Sequence, residues 1–297
     1  MKLSIMKNGF LGVNQGVNFE APYKKAKTVI VPFGLENTVS YGRGTKNGPR
    51  AIIAASHYVE IIDEQTLKPF DKCGIATLKQ PKISKVQKIS INLLAGMVKQ
   101  IIDDKKFPVV LGGEHSLTQG TVKGLCSKYK DFTILHFDAH GDTRTNYYLG
   151  GQYSHGAVMS QVLKNYPIAK LVQVGVRSIS DQDGEKEFRD KHQHKIQTFW
   201  AWEKFSPADV LRAIPTKDVF ISFDVDVFDP SIMPATGTPE PGGLLWWPVL
   251  DILKAVYKSK NVIGADVVEL APIKGLHHPD FMVAKLVYKL IGYKFHT

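Results

Sequence analysis

Short apolar runs alternate with amphipathic helical patterns along almost the whole chain, and this alternation limits the folds that it can adopt. Between the apolar runs, hydrophobic residues recur at intervals of three and four, as on one face of a helix. This order predicts a parallel β-sheet with helices on both faces. The predicted strands are Thr28–Phe33, Pro108–Leu111, Phe132–Phe137, Leu171–Val176, Lys195–Phe199, Val219–Phe223 and Val262–Val267. The predicted helices are Arg50–Ser56, Ile83–Asp104, Leu117–Lys128, Ser206–Ile214, Pro248–Lys258 and Pro279–Ile291.

The chain has the length and composition of a single globular domain. Its 297 residues contain no repeat, low-complexity segment or linker, so one domain over residues 1–297 is predicted. No apolar run approaches the roughly 18 residues of a membrane helix, and residues 1–18 lack the apolar core of a secretory signal. The two cysteines, Cys73 and Cys126, provide no disulfide framework. We therefore expect a cytoplasmic enzyme without a membrane partner.

The formal net charge of +10 comes from lysines that are scattered along the sequence. A nucleic-acid-binding protein concentrates its basic residues on a stripe or tail, with aromatic residues between them. No dense basic tract occurs here, so we expect a solvated lysine-rich surface and no nucleic-acid partner. A cationic substrate would have to be attracted by a local acidic site.

Metal-binding side chains follow two of the predicted strands. The ligand-type residues after these strands are Asp138, His140, Asp142, Asp224 and Asp226. Side chains two apart on a strand point to one face, about 6.6 Å apart, so each segment can direct its ligands to one place. Two carboxylates 4 Å apart repel by about 4 kcal/mol at a dielectric constant of 20. Several such pairs would exceed the stability of an ordinary domain, so converging carboxylates require cations. The pattern predicts a two-metal hydrolytic centre.

A third strand end carries another ligand. The run Pro108–Leu111 is followed by Gly112, Gly113, Glu114 and His115. The two glycines permit a sharp turn and close approach to other backbone. Ligands gather at the carboxyl ends of parallel strands, so we expect His115 to join the aspartates.

The donor set indicates which metals suit the site. Carboxylate and imidazole without thiolate favour Mn²⁺, with Fe²⁺, Co²⁺, Ni²⁺ and Zn²⁺ as alternatives. Two metal ions about 3.5–4 Å apart can activate a water molecule near neutral pH. Two Mn²⁺ ions per chain are the predicted cofactors.

Six motifs in order resemble those of the ureohydrolases, the arginase and agmatinase superfamily, from about Tyr41 to Pro272. They are G-G-E-H-S, F-D-A-H-x-D, S-H-G, S-x-D-x-D-x-x-D-P, P-A-T-G-T-P and D-V-V-E-x-x-P. The resemblance implies a three-layer α/β/α fold around an eight-stranded parallel sheet. It also implies a binuclear Mn²⁺ centre that hydrolyses a guanidino group to urea and an amine. Relatives that form trimers and hexamers imply a homo-oligomer.

The resemblance assigns roles to residues of this chain. It implies one metal bound by His115, Asp138, Asp142 and Asp224, and the other by His140, Asp138, Asp224 and Asp226. It makes Asp142 the proton donor to the leaving amine, His155 a proton shuttle and Glu269 the partner of the guanidinium.

Plainer interpretations stand beside these roles. A lone histidine after two glycines is usually a capped turn, and only the aspartates give His115 a ligand role. His155 in an S-H-G loop could be structural, and Glu269 could be an exposed acid at a strand end. His136 lies one pleat deeper than Asp138, so we expect it to support a ligand or to belong to the core.

The loop between Asp142 and His155 bears on the substrate. Arginases that resemble this family typically have asparagine two residues after the second aspartate of D-A-H-x-D, and here Arg144 occupies that position. The loop is closer to the agmatinase pattern, so agmatine, cleaved to putrescine and urea, is the predicted substrate. If Arg144 faces the pocket, it would favour a guanidino acid such as 4-guanidinobutanoate. Arginase activity and a non-catalytic metal-binding protein on the same fold are the remaining alternatives.

Overall fold

A computed structural model describes residues 3–14, 17–69, 73–147 and 149–296. Two short antiparallel pairs lie outside its central sheet: β1 (Val13–Asn14) with β2 (Val17–Asn18), and β4 (Ile62–Asp63) with β5 (Lys68–Pro69). The central sheet contains β3 (Thr28–Phe33), β6 (Ile75–Thr77), β7 (Phe107–Gly112), β8 (Phe132–Phe137), β9 (Ile168–Val176), β10 (Ile196–Trp200), β11 (Asp218–Asp224) and β12 (Asn261–Val268).

The central sheet is parallel throughout, with the strand order β10-β9-β8-β11-β12-β7-β3-β6. This confirms the predicted eight-stranded α/β fold. The sequence patterns identified seven of these strands and missed β6. This strand has only three residues and lies at the edge of the sheet, so it carries little periodic signal.

Helices cover both faces of the sheet and form a three-layer structure. They are α1 (Gly48–Ser56), α2 (Gln87–Asp103), α3 (Thr118–Leu125), α4 (Val158–Asn165), α5 (Glu185–Lys191), α6 (Pro207–Ala213), α7 (Trp246–Ser259) and α8 (His278–His296). One hydrophobic cluster joins α1, α6, α7 and α8 to one face of the sheet. A second cluster joins α2 to α5 to the opposite face. None of the described helices is long and apolar enough to cross a lipid bilayer.

Strand alternation separates the two hydrophobic clusters. In β3, Ile30 belongs to the first cluster, whereas its neighbours Val29 and Val31 belong to the second. Successive side chains on a strand point to opposite faces, so a central strand must be apolar on both sides. All six residues of β3 are buried, as are all six of β8.

The predicted helix boundaries hold to within a few residues, and their local causes are visible. Ser206 forms a capping box with Asp209 at the start of α6, and Pro207 occupies the first turn. Helix α2 begins at Gln87 and not at Ile83, because the Ser84 hydroxyl accepts a hydrogen bond from the backbone of Val86 in a turn. The sequence patterns missed α4 and α5.

The central strands position the candidate site. Strands β8, β11, β12 and β7 are consecutive neighbours in the sheet and run in one direction. Their carboxyl ends therefore meet at one edge. Strands β7, β8 and β11 lead into the sequence-predicted ligand segments, and β12 leads into Glu269.

Candidate metal centre and active site

His115 lies at the centre of three aspartates. Its Nδ1 atom is 3.1 Å from Asp138 Oδ2, 3.2 Å from Asp142 Oδ2 and 3.2 Å from Asp224 Oδ2. All four side chains are buried. Segments that are distant in the sequence thus place one imidazole and three carboxylates in a single cluster.

His140 forms a second cluster beside the first. Its Nδ1 atom is 3.0 Å from Asp226 Oδ2 and 3.5 Å from Asp138 Oδ1. Asp138 therefore faces His115 with one carboxylate oxygen and His140 with the other. A carboxylate in this position can bridge two cations.

Local backbone hydrogen bonds orient the aspartates. The backbone N–H of His140 donates to Asp138 Oδ1 at 2.6 Å, and that of Ala139 donates to Asp226 Oδ1 at 3.0 Å. In the other segment, the N–H of Asp226 donates to Asp224 Oδ1 at 2.9 Å. Each loop thus fixes its carboxylates before any cation arrives.

The clusters have the geometry and chemistry of metal sites. Ligand atoms about 2.1 Å from a metal ion and 90° apart are roughly 3.0 Å from one another. The separations of 3.1–3.2 Å around His115 Nδ1 match this spacing. That buried nitrogen makes no regular hydrogen bond within the described part of the chain. One ligand atom from each of His115, His136, Asp138 and Asp142 lies within 4.8 Å of the others, and the same holds for Asp138, His140 and Asp226.

The electrostatics of the cluster also call for cations. Burial, together with the charges of Asp226 and Asp138, raises the pKa of Asp224 well above its ordinary value. Burial alone would lower the pKa of His115, but the three carboxylates of Asp138, Asp142 and Asp224, each 3.1–3.2 Å from Nδ1, outweigh it and raise the pKa well above its ordinary value. Without cations, protons must therefore hold these carboxylates together.

His136 contacts the Asp138 carboxylate from behind, as expected from its place on the strand. Its Nε2 atom lies 2.8 Å from Asp138 Oδ2. Its Nδ1 atom receives a hydrogen bond from Gln173 Nε2 at 2.9 Å, while Arg189 donates to Gln173 Oε1 at 2.6 Å. The arginine contact fixes the orientation of the Gln173 amide, which places the His136 proton on Nε2, facing Asp138.

Two of the candidate catalytic residues adopt an unusual backbone conformation. Asp142 has φ 50° and Glu269 has φ 66°, in the left-handed region that favours glycine. Side-chain-bearing residues persist there when the surrounding structure requires it, and such positions concentrate at functional sites. Glu269 is buried, and its Oε1 atom accepts a hydrogen bond from the backbone N–H of His115 at 2.6 Å.

The metal clusters open into a cavity of about 340 Å³. The cavity is lined by seven of the predicted site residues: His140, Asp142, Arg144, His155, Asp224, Asp226 and Glu269. The remaining predicted ligands, His115 and Asp138, are buried beneath it. The structure therefore brings all the sequence-predicted site residues to one place.

Arg144 lies on the cavity wall and is held by neighbouring side chains. Its Nη1 atom is 3.0 Å from Asp183 Oδ2, and its guanidinium lies 4.5 Å from the centre of the Tyr147 ring. The charge of Arg144 is therefore balanced by Asp183. Tyr148, in the same loop, lies outside the described residues.

Several contributors to the site were missed by sequence reasoning. Glu240 is half-exposed on the cavity wall, with its Oε1 atom 3.8 Å from His140 Nε2. Thr38 and Glu114 lie behind His155, and Gln173 lies behind His136. The only sequence signal for Glu114 was its place between the glycines and His115.

Comparison with known proteins identifies the family. The family model described as "Arginase family" matches residues 26–292. The chain belongs to the arginase family. An N(1)-aminopropylagmatine ureohydrolase of Synechocystis sp. is 35% identical over 91% of this chain and 90% of its own length. An agmatinase of Bacillus cereus is 31% identical over 84% of this chain and 86% of its own.

A solved structure agrees with the architecture of this arginase-family chain. The agmatine ureohydrolase of Thermoplasma volcanium has a TM-score of 0.82 and 27% sequence identity, covering 99% of this chain and 95% of its own. The prediction of an arginase/agmatinase-type ureohydrolase, a metal-dependent amidinohydrolase, is confirmed.

Proposed function

We propose that this arginase-family protein binds two divalent metal ions and releases urea from a guanidino amine. The observation that carries the proposal is the pair of carboxylate–histidine clusters sharing Asp138 at the base of one cavity. The proposed ligands of one ion are His115, Asp138, Asp142 and Asp224, and those of the other are His140, Asp138, Asp224 and Asp226. Mn²⁺ is the proposed metal, since the donor set contains oxygen and imidazole without sulfur.

The proposed mechanism divides the reaction among the residues of the cavity. A guanidinium remains cationic near neutral pH, so Glu269 binds and orients it as a charge-assisted partner. Metal ions held by these aspartates and histidines would, when bound, lower the pKa of a water molecule that can attack the central carbon. Asp142 holds a proton for the leaving amine, and His155 exchanges protons between this site and solvent.

The charges on the cavity wall favour a substrate with a second cation. The four aspartates of the clusters balance two divalent ions. Arg144 is paired with Asp183, and the Glu185 carboxylate on the cavity wall accepts hydrogen bonds from Thr143 and Ser180. Glu269 and Glu240 are the other two glutamates that line the cavity. If Glu269 binds the guanidinium, Glu240 remains for a distal ammonium. This arrangement favours agmatine over arginine or 4-guanidinobutanoate, whose carboxylates would meet Glu240.

N(1)-Aminopropylagmatine is a second candidate substrate. The Synechocystis relative carries that name and is more similar to this chain than the Bacillus cereus agmatinase. The compound adds another amine to the distal end of agmatine. Glu240, with a side chain 37% exposed, offers that longer chain a carboxylate at the open side of the cavity.

A urea-release assay with Mn²⁺ tests these substrates. Agmatine, N(1)-aminopropylagmatine, arginine and 4-guanidinobutanoate are compared by kcat/KM. We expect both guanidino amines to exceed both guanidino acids, and Glu240→Gln to lower kcat/KM for the amines by about tenfold. Preference for 4-guanidinobutanoate would reject the charge argument. Metal analysis should find about two ions per chain, and none would support a non-catalytic protein.

The cellular setting forms a separate part of the proposal. We propose a cytoplasmic homo-oligomer, a trimer or hexamer. Trp247, 52% exposed beside the packed Trp246, is a candidate contact between subunits.

A further inference from the structure

We propose that Thr38 is a positioning residue that, with Glu114 behind it, fixes the proton of the neutral His155 ring on Nδ1. The remaining nitrogen, Nε2, is then the one available to accept a proton in the cavity. The catalytic consequence rests on the proposed function, whereas the placement of the ring proton does not.

Glu114 determines which way the Thr38 hydroxyl donates its hydrogen bond. It is fully buried, and its two oxygens accept five hydrogen bonds. The donors are the backbone N–H groups of Asn37 and Thr38, the Thr38 hydroxyl, Gln87 Nε2 and the Ser116 hydroxyl. A carboxylate surrounded by donors on both oxygens acts only as an acceptor.

The Thr38 hydroxyl can therefore donate its hydrogen bond only towards Glu114. Its single proton is donated to Glu114 Oε1 at 2.8 Å. The hydroxyl oxygen is then free to act as an acceptor, since a hydroxyl has one proton and two lone pairs.

His155 supplies two groups to that oxygen. Its backbone N–H donates to Thr38 Oγ1 at 3.2 Å, and its ring Nδ1 lies 3.3 Å from the same atom. Because Thr38 has no second proton to give, an Nδ1 atom without a proton would face a lone pair. The contact therefore selects the tautomer with hydrogen on Nδ1.

A second contact restricts the orientation of the ring. The Tyr147 ring meets His155 edge to face, with ring centres 5.6 Å apart and planes 89° apart. Burial also lowers the pKa of His155, which keeps the free ring neutral near neutral pH. A neutral ring with hydrogen on Nδ1 presents an unprotonated Nε2 to the cavity that His155 lines.

The Thr38→Val variant separates this role from a general structural one. Valine keeps the shape of threonine but removes the acceptor for Nδ1 and for the backbone N–H of His155. Glu114 retains its four other donors. Thr38→Ser is the matched control because it keeps the hydroxyl.

Nitrogen-15 NMR of histidine-labelled full-length protein, without paramagnetic ions, reports the tautomer directly. The His155 signals are assigned by their loss in His155→Ala. We expect the Nδ1–H tautomer in the unmodified protein and in Thr38→Ser, and a mixture or the Nε2–H tautomer in Thr38→Val. An Nε2–H tautomer in the unmodified protein, or an unchanged Nδ1–H tautomer in Thr38→Val, would overturn the proposal.

Kinetics of the Mn²⁺-loaded protein test the catalytic consequence. We expect Thr38→Val to reduce kcat by roughly 10- to 100-fold with KM little changed, because general acid–base groups contribute on the order of 10²–10⁴-fold. Thr38→Ser should restore most of kcat. In the His155→Ala background, Thr38→Val should have no further effect, and an additive loss would reject positioning through His155. If no guanidino compound is hydrolysed at all, the proposed function fails while the NMR result still decides the tautomer.

Discussion

Replacement of Glu269 with glutamine tests the proposed guanidinium site most directly. The substitution removes one charge and preserves the shape of the side chain. Glutamine Oε1 can still accept the hydrogen bond from the backbone of His115, which occupies Glu269 Oε1 at 2.6 Å. The second oxygen, Oε2, makes no hydrogen bond in the described part of the chain and is available to the substrate. The variant therefore keeps the contact to His115 but replaces the charged acceptor that faces the substrate with a neutral amide donor.

The expected loss follows from the burial of this carboxylate. Glu269 is only 8% exposed, so water screens its charge little. Removing one member of a buried, hydrogen-bonded charge pair costs about 2–5 kcal/mol. This corresponds to roughly 30- to 4,000-fold in kcat/KM for agmatine. Part of the loss should appear in KM, because the guanidinium is already charged before the reaction.

Urea release at substrate concentrations below KM measures this loss, with metal content determined on the same samples. Glu240→Gln is the matched control, since it removes one charge from a half-exposed carboxylate of the same cavity. Its effect should be smaller than that of Glu269→Gln. A Glu269→Gln variant within threefold of the unmodified protein would refute the assignment. Loss of bound metal in that variant would instead make Glu269 part of the metal centre.

Two further outcomes follow from the described geometry. The pKa of Asp224 and that of His115 are both raised in the metal-free cluster, so protons held by these groups must leave when a metal binds. The apparent metal affinity should therefore fall as pH decreases. Calorimetry in buffers of different ionisation enthalpy measures the proton release. Metal binding without proton release would contradict this. Lys289→Met should lower the free energy of unfolding by about 3–5 kcal/mol, because Lys289 is fully buried and lies 2.7 Å from Asp63 Oδ2. Lys285 on the same helix pairs with the exposed Glu64, so Lys285→Met should lower it by about 1 kcal/mol or less. Urea denaturation measures both, and equal losses would reject the argument.

The sequence predicted those parts of the structure that depend on local pattern. Buried strands are apolar on both faces, so runs such as Phe132–Phe137 were recognisable and their ends located the candidate ligands. His115 joined the aspartates because ligands collect at the carboxyl ends of parallel strands. The prediction of one domain over the whole chain stays a prediction.

Contacts between distant segments were not predictable in the same way. The partner of Arg144 is Asp183, on a separate loop, and no local pattern connects the two. Glu114 is surrounded by donors from the segment at 37–38 and from Gln87 at the start of α2. Such polar contacts follow from how loops meet in space, and a single sequence carries no periodic signal for them.

The tripeptide Gly113-Glu114-His115 contacts both the candidate metal cluster and Thr38, the residue behind His155. A side chain on Gly113 would collide with the carbonyl oxygen of Leu35, since a Cβ there would lie 2.0 Å from it. Glu114 accepts a hydrogen bond from the Thr38 hydroxyl, in the loop that also contains Leu35, while His115 contacts the carboxylates of the metal cluster. A displacement at any of these three positions would therefore reach the proposed metal ligand His115 and the proposed proton carrier His155 together. We therefore expect variants of this turn to lose bound metal and proton transfer together.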